Sequence, residues 1–84
     1  MKNNWKELTN TMEANFEFNS FQEALKFVNM VGKLAEIQNH HPNILMHNYN
    51  QVKITVSTID SGNKLTIKDF RLAKSINRLS RPFL

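Results

Sequence analysis

The feature that most narrows the fold is a change of hydrophobic period at Pro42. From about Ser20 to Gln38 apolar residues recur at helical spacing. Phe21, Ala24, Leu25, Val28, Val31, Leu34 and Ala35 make one stripe. Ser20 followed by Glu23 reads as a capping box, in which the hydroxyl accepts from one early amide and the carboxylate reaches back to another. Pro42 is expected to stop this helix, because it disfavours helical geometry at His41 and has no amide hydrogen. Past it the period drops to two. Val52, Ile54 and Val56 alternate with Lys53, Thr55 and Ser57, as in a half-buried strand. Ile44 to Tyr49 is expected to pair with that strand through a tight turn near Asn50.

The same two periods recur at the ends of the chain. Met12, Ala14, Phe16 and Phe18 alternate, and Trp5 to Leu8 is their expected hairpin partner across a turn near Asn10. A second helix is expected from about Ile67 to Arg78. Thr66 is its N-cap, Asp69 stands at the capping-box position, and Ile67, Phe70, Ala73 and Ile76 form its apolar stripe. The order is ββαββα. An antiparallel sheet of about four strands with helices on one face makes an α+β fold, and leaves the other sheet face open for a site or a partner.

Eighty-four residues suit one domain over residues 1–84. A chain this short buries only about 60% of the surface it exposes when unfolded, so its core is thin and association is an expected source of stability. A homodimer or homotetramer is therefore expected. There are no cysteines, which excludes disulfides, thiolate metal sites and a cysteine nucleophile. No run is apolar enough to span a membrane, and Met1 to Trp5 carries no apolar signal segment, so a cytoplasmic setting is expected. The net charge of +4 is uneven. From Lys53 onward seven Lys/Arg face two acids, Asp60 and Asp69. That basic third is either a solvated helix face or a surface for an anion, a nucleic acid or an acidic partner.

Chemistry concentrates in Glu36-Ile37-Gln38-Asn39-His40-His41-Pro42. Imidazole titrates near neutrality, so one histidine can donate a proton while its neighbour accepts one. In an extended run the two rings would point to opposite faces; at a helix end, where the chain turns, both can serve one pocket. Taken alone, a His-His pair is as readily structural. A metal site from three histidines, with His47, and Glu36 matches no recognised ligand spacing.

The wider pattern resembles the pterin-4a-carbinolamine dehydratase family. It runs in order from Trp5 through Phe16 and Phe18, Phe21 and Phe27, Ala35-Glu36, Asn39-His40-His41-Pro42, Tyr49-Asn50, Val52, Asp60, Gly62 and Leu65-Thr66 to Lys68-Asp69. The resemblance implies dehydration of a 4a-hydroxytetrahydropterin to the quinonoid dihydropterin, without metal or organic cofactor. On the matching positions His40 and His41 are the catalytic imidazoles, and Glu36 and Asp69 line or orient the site. Pro42 fixes the turn, and Ile59 and Asp60 complete the substrate contacts. There is one serious departure. The family's third histidine falls on Ile59, within Ser57-Thr58-Ile59-Asp60, and an isoleucine can neither donate nor accept a proton. His47 is the residue expected to compensate if any does. The resemblance equally allows a non-catalytic pterin-binding or protein-interaction member of the same fold. Nucleic-acid binding is not favoured, since ββαββα is not the order of the common RNA-recognition sheet and that sheet's stacking aromatics are not evident.

Overall fold

The structure, a computed structural model, describes residues 5–57 and 65–83. Its elements are β1 (Trp5–Glu7), β2 (Met12–Glu17), α1 (Phe21–Gln38), β3 (Asn43–His47), β4 (Gln51–Val56) and α2 (Ile67–Ser80), followed by a 3₁₀ turn, Arg81–Phe83. This is the expected ββαββα order. The strands form one antiparallel sheet in the spatial order β1-β2-β4-β3. α1 is the connection that carries the chain from β2 to the far edge, so that β4 returns into the gap beside β2.

The alternating residues divide the sheet into two faces. Met12, Ala14 and Phe16 of β2 and Val52, Ile54 and Val56 of β4 are all buried, and the register puts them opposite one another: Met12 against Val56, Ala14 against Ile54, Phe16 against Val52. The other face carries Glu13, Lys53 and Thr55, with Lys53 Nζ 2.9 Å from Glu13 Oε2. Both helices cover the apolar face. Phe27 of α1 is fully buried there, its ring 5.0 Å from that of Phe16 and 4.9 Å from that of Phe18. Phe83 closes the cluster edge-on to Phe18 at 5.3 Å. Tilted and edge-on pairs of this kind add to the stabilisation that burial alone provides.

The buried stripes differ from the expected ones by a rotation. On α1 the sheet takes Ala24, Phe27, Val31 and Ala35, while Phe21 and Leu25 face outward. On α2 it takes Leu72, Ala73 and Ile76, together with Asp69 and Ser80, while Ile67 and Phe70 are exposed. Two overlapping apolar stripes run along α1. Both share Ala24, Val31 and Ala35; the buried one adds Phe27, whose ring packs against Phe16 and Phe18, in place of Phe21 and Leu25.

The turns also refine the expectations. Ser20 Oγ accepts from the Glu23 amide at 3.1 Å, but the Glu23 carboxylate accepts from the Asn19 amide, one residue earlier than the capping box requires. Tyr49 is not in β3. Asn48 and Tyr49 adopt φ of 49° and 55° and form the β3–β4 turn. Asn50 ties this turn to β2: its side-chain amide donates to the Phe18 carbonyl, and its own carbonyl accepts from the Phe18 amide, both at 2.9 Å. Among the described residues no helix is long and apolar enough to cross a membrane.

Candidate active site

The site grows from the way α1 ends. Asn39 takes up the left-handed conformation, φ 52° and ψ 43°. Its amide donates to the Glu36 carbonyl, and the His40 amide donates back to the Ala35 carbonyl at 3.0 Å. These two bonds make a Schellman motif, which satisfies carbonyls the helix end would otherwise leave open. The helix therefore stops before Pro42 is reached, and the proline begins the extended run into β3. Asparagine is, after glycine, among the residues that best tolerate this backbone region.

The motif sends the two histidines to different partners. His40 turns inward toward α2, where its Nε2 lies 2.6 Å from Asp69 Oδ1. Its side chain is only 12% exposed, and that of Asp69 is fully buried. The second oxygen of Asp69, Oδ2, accepts from the Thr66 amide at 2.9 Å and so caps α2. One carboxylate thus fastens the start of α2 and fixes the His40 ring. A carboxylate only accepts, so Nε2 donates to it, and Nδ1 is left as the nitrogen that can take up a proton. Among the described residues Nδ1 has no partner.

His41 turns outward. Its Nε2 pairs with Glu36 Oε2, and both side chains are largely exposed. The alternation that separates adjacent side chains in an extended run applies here in spite of the nearby helix end.

A cavity of about 310 Å³ lies against His40, lined also by Ile37, Gln38, Lys68 and Arg71. It is small for a ligand pocket, and Ile37 presents a mostly solvent-exposed apolar side to it. Gln38 Nε2 donates to Ser75 Oγ at 2.9 Å, a second bond beside His40–Asp69 that ties the end of α1 to α2. A larger hollow, about 400 Å³, lies along the outer face of α1 between Gln22 and Lys33, but no imidazole or carboxylate lines it.

Of the residues singled out from the sequence, the structure brings His40 to Asp69 and His41 to Glu36. Pro42 is half-buried in the turn that follows. His47 sits at the far end of β3, paired in register with Gln51, and is not among the residues that line the cavity beside His40. Among the described residues no group of three or more His, Cys, Asp or Glu is placed to hold a metal ion. Ile59 and Asp60 lie outside the described residues. Three contributors were not anticipated: Ile37, Gln38 and Arg71. For Arg71 the available signal was its helical spacing from Lys68, which sets both on one face of α2.

A part-buried imidazole paired with a fully buried carboxylate thus lies beside a small cavity, on an antiparallel sheet backed by two helices. Comparison with known proteins gives the lineage. Residues 1–79 match the family model described as pterin 4 alpha carbinolamine dehydratase, and the chain belongs to that family. A protein of Picosynechococcus sp., provisionally named pterin-4-alpha-carbinolamine dehydratase, is 40% identical over 75 residues, covering 89% of this chain and 79% of its own length. Among solved structures, a transcriptional coactivator/pterin dehydratase from Brucella melitensis superposes with a TM-score of 0.82 at 28% identity, over 90% of this chain and 81% of its own. A pterin dehydratase-like protein described as a RuBisCO assembly factor of the alpha-carboxysome shares the fold, with a TM-score of 0.74 at 21% identity over 90% of this chain and 86% of its own.

Proposed function

We propose that the chain dehydrates a 4a-hydroxytetrahydropterin to the quinonoid dihydropterin, with His40 as general base. The observation that carries this reading is the His40–Asp69 pair at 2.6 Å beside the cavity. In the reaction the proton on N5 of the pterin passes to Nδ1 of His40. The N5–H electron pair becomes the C4a=N5 double bond, and the C4a–O pair departs with the oxygen. The departing hydroxide takes a proton and leaves as water. His41, held by Glu36 on the solvent side of the same turn and outside the cavity lining, can supply that proton only through intervening water. Asp69 is a positioning residue: it fixes the tautomer of His40 and offsets the positive charge that forms on the ring. Ile37 offers the flat ring an apolar surface.

A positioned general acid or base contributes roughly 10²–10⁴-fold. Substituting His40 with Ala is expected to lower kcat by about that factor, and the same change at His41 by less, because exposed water can replace an exposed donor. Steady-state turnover of the carbinolamine by purified protein checks both. Wild-type rates equal to the uncatalysed background would reject the enzymatic reading in favour of a pterin-binding or protein-interaction role. The reading carries with it a single domain over residues 1–84, a cytoplasmic setting and a homodimer or homotetramer; light scattering tests the last of these.

A further inference from the structure

The cavity beside His40 has a cationic wall that proton transfer does not use. Lys68 and Arg71 both line it, three residues apart on one face of α2. Among the described residues no carboxylate pairs with either of them. α2 carries four cations, Lys68, Arg71, Lys74 and Arg78, against the single acid Asp69, and Asp69 is buried against His40 and the Thr66 amide. The wall of the cavity is therefore electropositive.

A neutral pterin gives these cations nothing of opposite sign to hold. An anion does. A guanidinium offers two parallel N–H donors that match two oxygens of one acidic group, and a neighbouring ammonium can take a third. Three acceptor oxygens on one centre is the geometry of a phosphate monoester, and a carboxylate has only two.

We propose that the pterin taken by this cavity carries a phosphate on its side chain, held by Arg71 and Lys68 while the ring lies against His40. The proposal rests on the pterin reading of the site and adds the charge of the substrate to it. Arg71 becomes the residue that sets specificity. The basic C-terminal third of the chain acquires a local purpose, that of drawing an anionic substrate toward α2.

The test uses the whole chain and three probes: neopterin, neopterin monophosphate and inorganic phosphate. Binding is followed by pterin fluorescence at low salt. The monophosphate is expected to bind about tenfold or more tightly than neopterin, within the range of charge-assisted hydrogen bonds. Arg71→Gln should shrink that ratio toward one. Arg71→Lys, which keeps the charge but loses the fork, should retain part of it. Raising the salt from about 50 to about 300 mM should also compress the ratio, since exposed charges are screened. Equal affinities for the two pterins in the wild type overturn the phosphate preference and leave the dehydratase reading intact. Inorganic phosphate binding as tightly as the monophosphate also overturns it, because the wall is then a plain anion site. Failure of both pterins to bind, with turnover at background, removes the dehydratase reading itself and this inference with it.

Discussion

At the scale of single residues the site turns on Asp69. A buried carboxylate is tolerable only when its oxygens are satisfied, and here one oxygen is assigned to His40 and the other to the Thr66 amide. Asp69→Asn keeps the shape but replaces one acceptor oxygen with a donor, which turns His40 away or reverses its tautomer. The expected result is a loss of kcat comparable to that of His40→Ala, with little further loss in the double variant, since the pair acts as a unit. Steady-state kinetics of the two single variants and the double decides it; additive losses would show that the residues act independently. The family resemblance brings Asp69 to the site but does not name His40 as its partner. Nothing in the spacing of residue 40 and residue 69 reveals that they meet, because the meeting depends on how α1 crosses α2.

The elements were legible in kind and order, and less so in their facing. Alternation in Met12–Phe16 and Val52–Val56 fixed the core side of the sheet, because a strand has only two faces. A helix has a continuum of faces, and α1 offers more apolar residues than one face can bury. Pro42 is the stronger punctuation in the sequence, but Asn39 ends α1 through its left-handed backbone. Two predictions belong here. Asn39→Val should destabilise the fold by about 1–2 kcal/mol, the strain of a β-branched residue in that region, and Asn39→Gly should not. Tyr49→Gly should do the opposite. Tyr49 holds φ 55° with its ring largely exposed, so relieving it should add about 1 kcal/mol and raise Tm by several degrees. Urea denaturation and thermal melts measure these; a Tyr49→Gly protein that melts lower would mean the exposed ring makes a contact that outweighs the backbone strain.

At the scale of the molecule, stability is concentrated in a small aromatic cluster. A domain of this size has roughly 4–13 kcal/mol in total. Phe27→Ala should remove about 3–5 kcal/mol of it, because Phe27 is fully buried against Phe16, Phe18 and Phe83. Leu25→Ala, two residues away on the exposed face of α1, should change stability by no more than about 0.5 kcal/mol in the isolated chain. The contrast checks the rotation of α1 directly, and equal losses from the two variants would place the helix on its other stripe. A Leu25 effect that grows with protein concentration would instead assign that face to association between copies.

The double duty of Asp69 ties foldedness to competence. A molecule whose second helix has not begun correctly has no properly aimed imidazole, so on the proposed reading the site and the helix start are assembled together or not at all. The same economy narrows what mutation can reach: the orientation of the His40 ring cannot be changed through this carboxylate without also loosening the first turn of the helix that carries it.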